Sequence, residues 1–287
     1  MITQLKTNIR PAIDQDHRQL ANLVHFESHV HRHLDWKSPL DWFGAEPFLV
    51  AEENGTIKAA LVCPADPEDV FWIRLFVVAA SWSVKEGWES LWPEAKAYFN
   101  DKPQARIVAI PLQPWFQSLL EKTGFQHVHD VVSLIWQRDK LPVPVEPTVK
   151  MRSMNADDLK AVADLDEIAF GRLWRNSLES LQIAFQQAAL ATVAEDNNRL
   201  IGYQISTASP MGGHLARLAV HPDSQGRGIG FALASDVLDQ FRRRGALRVT
   251  VNTQRDNVTS LTLYQKCGFH LTGESYPVYQ FISSASS

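Results

Sequence analysis

The 287-residue sequence predicts an α/β (α+β) fold written twice along the chain. Short apolar runs that read as strands interleave with segments whose apolar residues recur at helical spacing. Four landmarks recur in the same order at offsets of 142–144 residues. Between the copies, "LPVPVEPT" (141–148) holds three prolines, which discourage helix and central strand and favour a stiff extended connector.

The landmarks are specific. "IRPAIDQDHRQLANL" (9–23) resembles "MRSMNADDLKAVADL" (151–165), and "FLVAEENGTIKAALV" (48–62) resembles "ATVAEDNNRLIGYQI" (191–205). "IRLFVV" (73–78) matches "ARLAVH" (216–221), and "LLEKTGF" (119–125) matches "LYQKCGF" (263–269). A tandem duplication is expected, with domains at 1–140 and 149–287 joined by the linker 141–148.

In the second copy, "TVKMRSM" reads as a strand and "NADDLKAVADLDEIAF" as a helix opened by a polar cap. "SLESLQIAFQQAA" is a second helix, with Leu178, Leu181, Phe185 and Ala188 on one face. "ATVAEDNNRLIGYQIS" is a hairpin, two apolar runs around a polar turn. "HLARLAV" is a strand, and "FALASDVLDQFRRRG" a helix whose basic end suits the dipole and whose Gly245 stops it. "LRVTVNT" is a strand, "NVTSLTLYQKCG" a helix and "YPVYQFI" a last strand.

Composition narrows the class. Hydrophobic residues make up 45% and charged residues 21%, an ordinary globular balance. No apolar run approaches the roughly 20 residues that span a bilayer, so no membrane association is expected. "MITQLKTNIRPAIDQD" lacks the apolar core of a leader, and a cytoplasmic protein is expected. Cys63 and Cys267 read as reduced thiols. A net charge of −4 leaves no basic footprint for nucleic acid. His25, His29, His31 and His33 invite a metal reading, but no Cys or acidic set completes a site and a solvated helix end is expected instead. No metal is expected.

The segment richest in chemistry is "LAVHPDSQGRGIGFALA". A strand turns through Pro222 into Gln225-Gly226-Arg227-Gly228-Ile229-Gly230 and directly into a helix. Glycines allow close backbone approach, the helix start offers unpaired N–H groups, and Arg227 adds a cation. Such a loop suits a phosphate or pyrophosphate, or it is only a glycine-rich turn. The P-loop pattern is absent, and the next strand ends in Asn252-Thr253 without the acidic residue of a dinucleotide fingerprint.

Gln-x-x-Gly-x-Gly after a strand resembles the acetyl-coenzyme A signature of the GNAT superfamily of N-acetyltransferases. "LAVHP" before it, "VTVNTQRDN" after it and "LTLYQKCGF" near the end resemble that family in the family's order, across essentially all of 149–287. The resemblance implies two tandem domains, each a mixed, mostly antiparallel sheet flanked by helices, and acetyl-CoA as cofactor. It implies that backbone groups of Leu218 and Val220 pair with the pantetheine arm, and that the amides from Gly226 to Gly230, Ile229 included, hold the pyrophosphate. Gln225 and Arg227 would assist, Asn257 would touch the cofactor, and Tyr264 would sit at the thioester sulfur as acid for the thiolate. Taken alone, Tyr264 also fits a half-buried aromatic on an amphipathic helix. Arg172, Trp174 and Arg175 lie between the first two helices, where the family contacts its acceptor, and would suit an anionic or aromatic one.

The base is less defined. Many family members place a Glu on the strand before the loop, whereas this chain has His214-Leu215-Ala216-Arg217. His214 and, in "AEDNN", Glu195 are the candidates. Without a strong base the easier acceptor is an α-amine, about a tenth neutral at pH 7, rather than a lysine, whose deprotonation costs about 4.6 kcal/mol.

The first copy departs at both chemical positions. Trp82-Ser83-Val84-Lys85-Glu86-Gly87 stands opposite the glycine loop, and Leu120 opposite Tyr264. Trp82 and Val84 would crowd a pyrophosphate and Glu86 would repel it, so residues 1–140 are expected to keep the fold without the reaction. Eight of the nine tryptophans lie there, suiting domain packing, a cover for the acceptor cleft, or an aromatic or cationic ligand. The expected activity is acetyl-CoA-dependent transfer to a primary amine, small molecule or peptide, by a monomer or homodimer. The rival reading is a non-catalytic acyl-CoA sensor.

Overall fold

The computed structural model describes residues 7–99, 102, 105–137, 149–210 and 212–282. Its contacts divide the chain into two units, Met1–Val128 with Pro277–Ser287, and His129–Tyr276.

In the first unit, β1 (Asn8–Pro11), α1 (His17–Phe26), β2 (His29–Arg32), β3 (Phe48–Glu53), β4 (Thr56–Val62), β5 (Val70–Trp72) and β6 (Leu75–Val78) precede α2 (Val84–Phe99), β7 (Arg106–Ala109) and α3 (Pro114–Lys122). β1-β3-β4-β6-β2 form an antiparallel sheet. Trp88, Trp92, Phe76, Phe99 and Phe116 fill one core cluster, so packing accounts for part of the tryptophan excess.

The second unit takes up the chain within β8 (Gln126–Gln137), then runs β9 (Lys150–Ser153), α4 (Leu159–Trp174), α5 (Leu178–Gln186), β10 (Leu190–Asp196), β11 (Arg199–Ser209), β12 (Gly212–Val220), α6 (Ile229–Arg243), β13 (Arg248–Gln254), α7 (Val258–Lys266) and β14 (His270–Ile282). β9, β10, β11 and β12 pair antiparallel in order, β12 pairs parallel with β13, and β13 antiparallel with β8.

The unit boundaries differ from 1–140 and 149–287. Residues 131–137 of β8 pair with β13 in the second unit, and residues 279–282 of β14 pair with β7 in the first. Each unit thus incorporates strand from the other repeat, a pairing that local pattern does not encode. The expected linker at 141–148 lies outside the described residues.

Matching local devices persist in both repeats. Arg10 forks onto Asp16 (2.6 and 2.9 Å) and reaches Glu52 (2.7 Å), and the Asp16 carboxylate accepts from the Ile13 N–H (2.9 Å). Arg152 forks onto Asp158 (2.7 Å twice) and reaches Glu195, while Asp158 accepts from the Asn155 N–H (2.8 Å). Each bracket ties the first strand to the start of the first helix and to the hairpin. Asn54 and Asn197 take positive φ (49° and 50°) at the equivalent hairpin tips.

Three readings are corrected. The buried face of α5 is Ser180, Leu181 and Ala184, with Leu178 exposed. The histidine run is no solvated helix end: only His25 lies on α1, whereas His29 and His31 are on β2. His31 is buried, stacked on Phe116 at 4.0 Å, and no metal-holding group occurs among the described residues. The strand ladder pairs Leu75 with Val62 where Arg217 pairs with Ile205, so β6 follows β12 at 142 residues rather than the 143 that the motif suggests. Among the described residues, no helix is long and apolar enough to cross a membrane.

Candidate active site

β12 and β13 part company midway. They pair only over Gly212–Leu215 with Arg248–Val251, although β12 continues to Val220 and β13 to Gln254. Beyond that point β12 keeps its partner β11 on one edge, through Val220 with Gly202, and among the described residues has no strand on the other. Leu218 and Val220 lie in this opened stretch, whose free edge can accept an extended ligand as an added strand.

The opened edge leads into the glycine turn. Gly226 and Gly228 have φ of +76° and +78°, left-handed values that favour glycine, and a Cβ on either would meet no atom within 4 Å. The turn is thus open at both glycines, with the Arg227 side chain between them. Gly228 is the N-cap of α6 and supplies no side-chain cap, so the first N–H groups of a 15-residue helix lack a capping side chain. Ile229 buries its side chain in the core while its amide stays in the first turn. Gly230 allows α7 to approach, since a Cβ there would stand 3.2 Å from Leu263.

The polar residues of the loop have partners inside the protein. The Gln225 side-chain amide donates to the Val220 carbonyl (3.3 Å), and Arg227 pairs with Asp196 (2.9 Å). Asn257 caps α7, its Oδ1 accepting from the Ser260 N–H at 3.0 Å. These residues shape the turn as well as standing beside it.

Tyr264 lies on α7 with its ring buried against Leu215, Val237 and Phe269. Its hydroxyl has no hydrogen-bond partner among the described residues, yet is not among the side-chain atoms sealed from solvent. Burial pushes the phenol above its ordinary value, with Cys267 adding to the shift and the Arg217 charge opposing it. A phenol so placed stays protonated at neutral pH. The Cys267 thiol is buried and pushed up to about 12 by that burial, which leaves it unreactive.

Of the two base candidates, Glu195 is engaged elsewhere. It lies on β10, and Arg152 holds it below the usual carboxylate range. His214 lies on the last stretch where β12 and β13 are still paired, opposite Thr250, with Nδ1 2.9 Å from the Thr250 hydroxyl. Burial lowers its pKa, so the imidazole is neutral at pH 7 but a weak base.

Sequence reasoning missed a buried knot beside this opening. Arg217 donates through Nε and Nη2 to the two oxygens of Asp166 (2.7 and 2.8 Å), and Nη2 also reaches the Trp174 carbonyl (2.6 Å). Tyr203 donates to Asp166 as well, and the Asn176 N–H donates to it at 2.7 Å. Asp166 on a buried helix face and Tyr203 within an apolar strand were the available signals. The knot holds the α4–α5 loop, where α4 kinks at Gly171 (φ +65°). Arg175 pairs with Glu167 and is not a spare cation, and the Trp174 ring lies 6.1 Å from His129. Arg172 ends α4 on the same loop.

Comparison with known proteins places this geometry. Residues 159–269 match the acetyltransferase (GNAT) family model. A mycothiol acetyltransferase of Geodermatophilus obscurus is 34% identical over 84 residues, 27% of this chain and 27% of that protein. N-alpha-acetyltransferase 30 of Schizosaccharomyces pombe is 32% identical over 82 residues, 27% of this chain and 55% of that protein. The matched stretches therefore span about a quarter to a half of those relatives. A solved tandem GNAT protein from the clavulanic acid biosynthesis pathway superposes with a TM-score of 0.65 over 98% of this chain and 100% of that one, at 15% identity, a likeness of fold. The opened strand edge, the glycine turn and the tyrosine helix all fall within residues 159–269, the segment that matches the acetyltransferase (GNAT) family, and over its whole length the chain has the fold of tandem GNAT proteins.

Proposed function

We propose that the chain transfers an acetyl group from acetyl-CoA to a primary amine, with the reaction confined to the second unit. The observation that carries this reading is the opened edge of β12 running into a turn left open at Gly226 and Gly228, at an uncapped helix start. Both features fit the cofactor. An extended pantetheine arm needs unpaired backbone groups, and a pyrophosphate needs free amides without Cβ atoms in the way.

Acetyl-CoA supplies the activated thioester. Leu218 and Val220 offer backbone groups to its arm, and the amides of Gly226, Arg227, Gly228, Ile229 and Gly230 face its phosphates. Gln225 supports the turn through Val220. Arg227 adds charge, exchanging or sharing Asp196. Tyr264 keeps a proton on an unpartnered hydroxyl and can give it to a departing sulfur, help worth about 10²–10⁴ in rate. His214 is the remaining acceptor for the amine proton. Its lowered pKa favours amines that are already partly neutral.

The first unit keeps the fold without the chemistry. There the α2 start is closed by its own cap: the Glu86 carboxylate accepts from the Ser83 N–H (2.7 Å), and the Ser83 hydroxyl accepts from the Glu86 N–H (3.1 Å). Calorimetric titration of the full chain with acetyl-CoA tests the assignment. One equivalent bound, followed by acetyl transfer to an amine panel, supports it; two equivalents would return activity to the first unit, and none at near-millimolar ligand would sink it.

A further inference from the structure

Resting on that reading, the buried knot carries a statement about the acceptor. β12 bulges at Ala216, since Ile205 pairs with Arg217 and Ser206 with Leu215. The extra residue separates the two side chains. Leu215 packs among Val237, Leu238 and Phe241 of α6, whereas Arg217 packs against α4, with its guanidinium 3.5 Å from the Phe170 ring centroid. Nε and Nη2 are then fully engaged by Asp166 and the Trp174 carbonyl.

One edge is left over. Among the described residues Nη1 has no hydrogen-bond partner, and it is not among the sealed atoms, in a side chain that is 13% exposed. It belongs to the stretch of β12 where β13 has turned away, and its charge is felt at Tyr264. A guanidinium held by two oxygens, a carbonyl and a ring face is a fixed donor. Nothing among the described residues uses its last N–H pair.

We propose that Arg217 reads the acceptor: Nη1 donates to a neutral carbonyl oxygen next to the attacking amine, so that preferred acceptors are α-amino amides, peptide N-termini included. Charge decides between carbonyl and carboxylate. Asp166 already balances the guanidinium, so a second carboxylate would be desolvated beside the first, whereas a carbonyl only exchanges water for an N–H. Arg175, the neighbouring cation, is held by Glu167. An α-amino amide also has the lower-pKa amine that a weak base can use.

The test compares alaninamide, alanine and isopropylamine as acceptors of the full chain, with rates expressed per concentration of neutral amine. Wild-type kcat/KM should favour alaninamide over isopropylamine by about 10- to 100-fold, and over alanine in the same sense. Arg217→Lys keeps a cation for Asp166 but cannot serve both partners. It should bring the amide and the plain amine within a few-fold of each other while acetyl-CoA affinity holds. Calorimetric binding of alaninamide to the CoA-bound protein should weaken at least tenfold in parallel. Asp166→Asn combined with Arg217→Met, which leaves no buried charge unpaired, provides a second folded background. Retention of the amide preference in both variants, or a wild-type preference for alanine, overturns the proposal. A wild-type chain that binds acetyl-CoA and uses all three acceptors equally overturns this inference alone; one that binds no acetyl-CoA removes the proposed function and this inference with it.

Discussion

The two units are built on one plan and differ where chemistry would occur. Both keep the arginine bracket, Arg10 with Asp16 and Glu52 in one and Arg152 with Asp158 and Glu195 in the other. At the start of the central helix they diverge. The second unit offers Gly228 and bare amides, while the first closes the same end with Ser83 and Glu86. Further on, Tyr264 with an unpartnered hydroxyl stands opposite Leu120, which is wholly buried in an aromatic core. A folding device survives duplication because either copy is weakened without it, whereas a ligand cradle can be lost from one copy while the other retains it.

Substitutions can break that asymmetry. The largest effect is expected from Gly228→Val, which puts a β-branched side chain at φ +78° and into the open face of the turn. Acetyl-CoA affinity should fall by about 100-fold or more by calorimetry, while Glu86→Gly in the first unit should create no second site. Tyr264→Phe should lower kcat by about 10²-fold or more with acetyl-CoA affinity unchanged, and Leu120→Tyr should add nothing. An unchanged kcat in Tyr264→Phe would make the ring a packing residue and leave the departing thiolate to another acid.

Acid should separate the units by stability. Burial holds the first unit's His31 down at about 4, against 6.5 for an exposed imidazole. The unfolded chain therefore takes up this proton near pH 6.5 and the folded unit only near 4. Stability from His31 is complete above about pH 6.5 and lost as pH falls towards 4, about 3 kcal/mol in all. His33 shifts in the same direction through burial, while Asp35, pushed up by burial, works the other way. Urea melts at pH 7 and 5, followed by tryptophan fluorescence, should show the first unit weakening, and His31→Gln should flatten that loss.

The smallest effect concerns what the units share. Arg10→Ala and Arg152→Ala should each destabilise their own unit by about 1–2 kcal/mol, because both guanidiniums are partly solvated. Asp16 and Asp158, held low by these arginines, stabilise above about pH 4 and lose that contribution as pH falls further. A loss confined to one unit would show that the two brackets are not equivalent.

The duplication, the order of elements, the glycine turn and the lost hydroxyl were all legible in the sequence. Each is local: left-handed turns require glycine, helix starts require caps, and apolar spacing records which face is buried. Other features depend on where distant strands pair. The exchange of β8 and β14 between units, the bulge at Ala216 and the meeting of Arg217 with Asp166, 51 residues away, depend on register, which no short window carries. Sequence alone therefore determined that one copy carries a glycine turn and a tyrosine where the other has Trp82–Gly87 and Leu120. Only the tertiary structure decided which polar groups were already satisfied, among them Nε and Nη2 of Arg217, because those partners come from elements far apart in sequence.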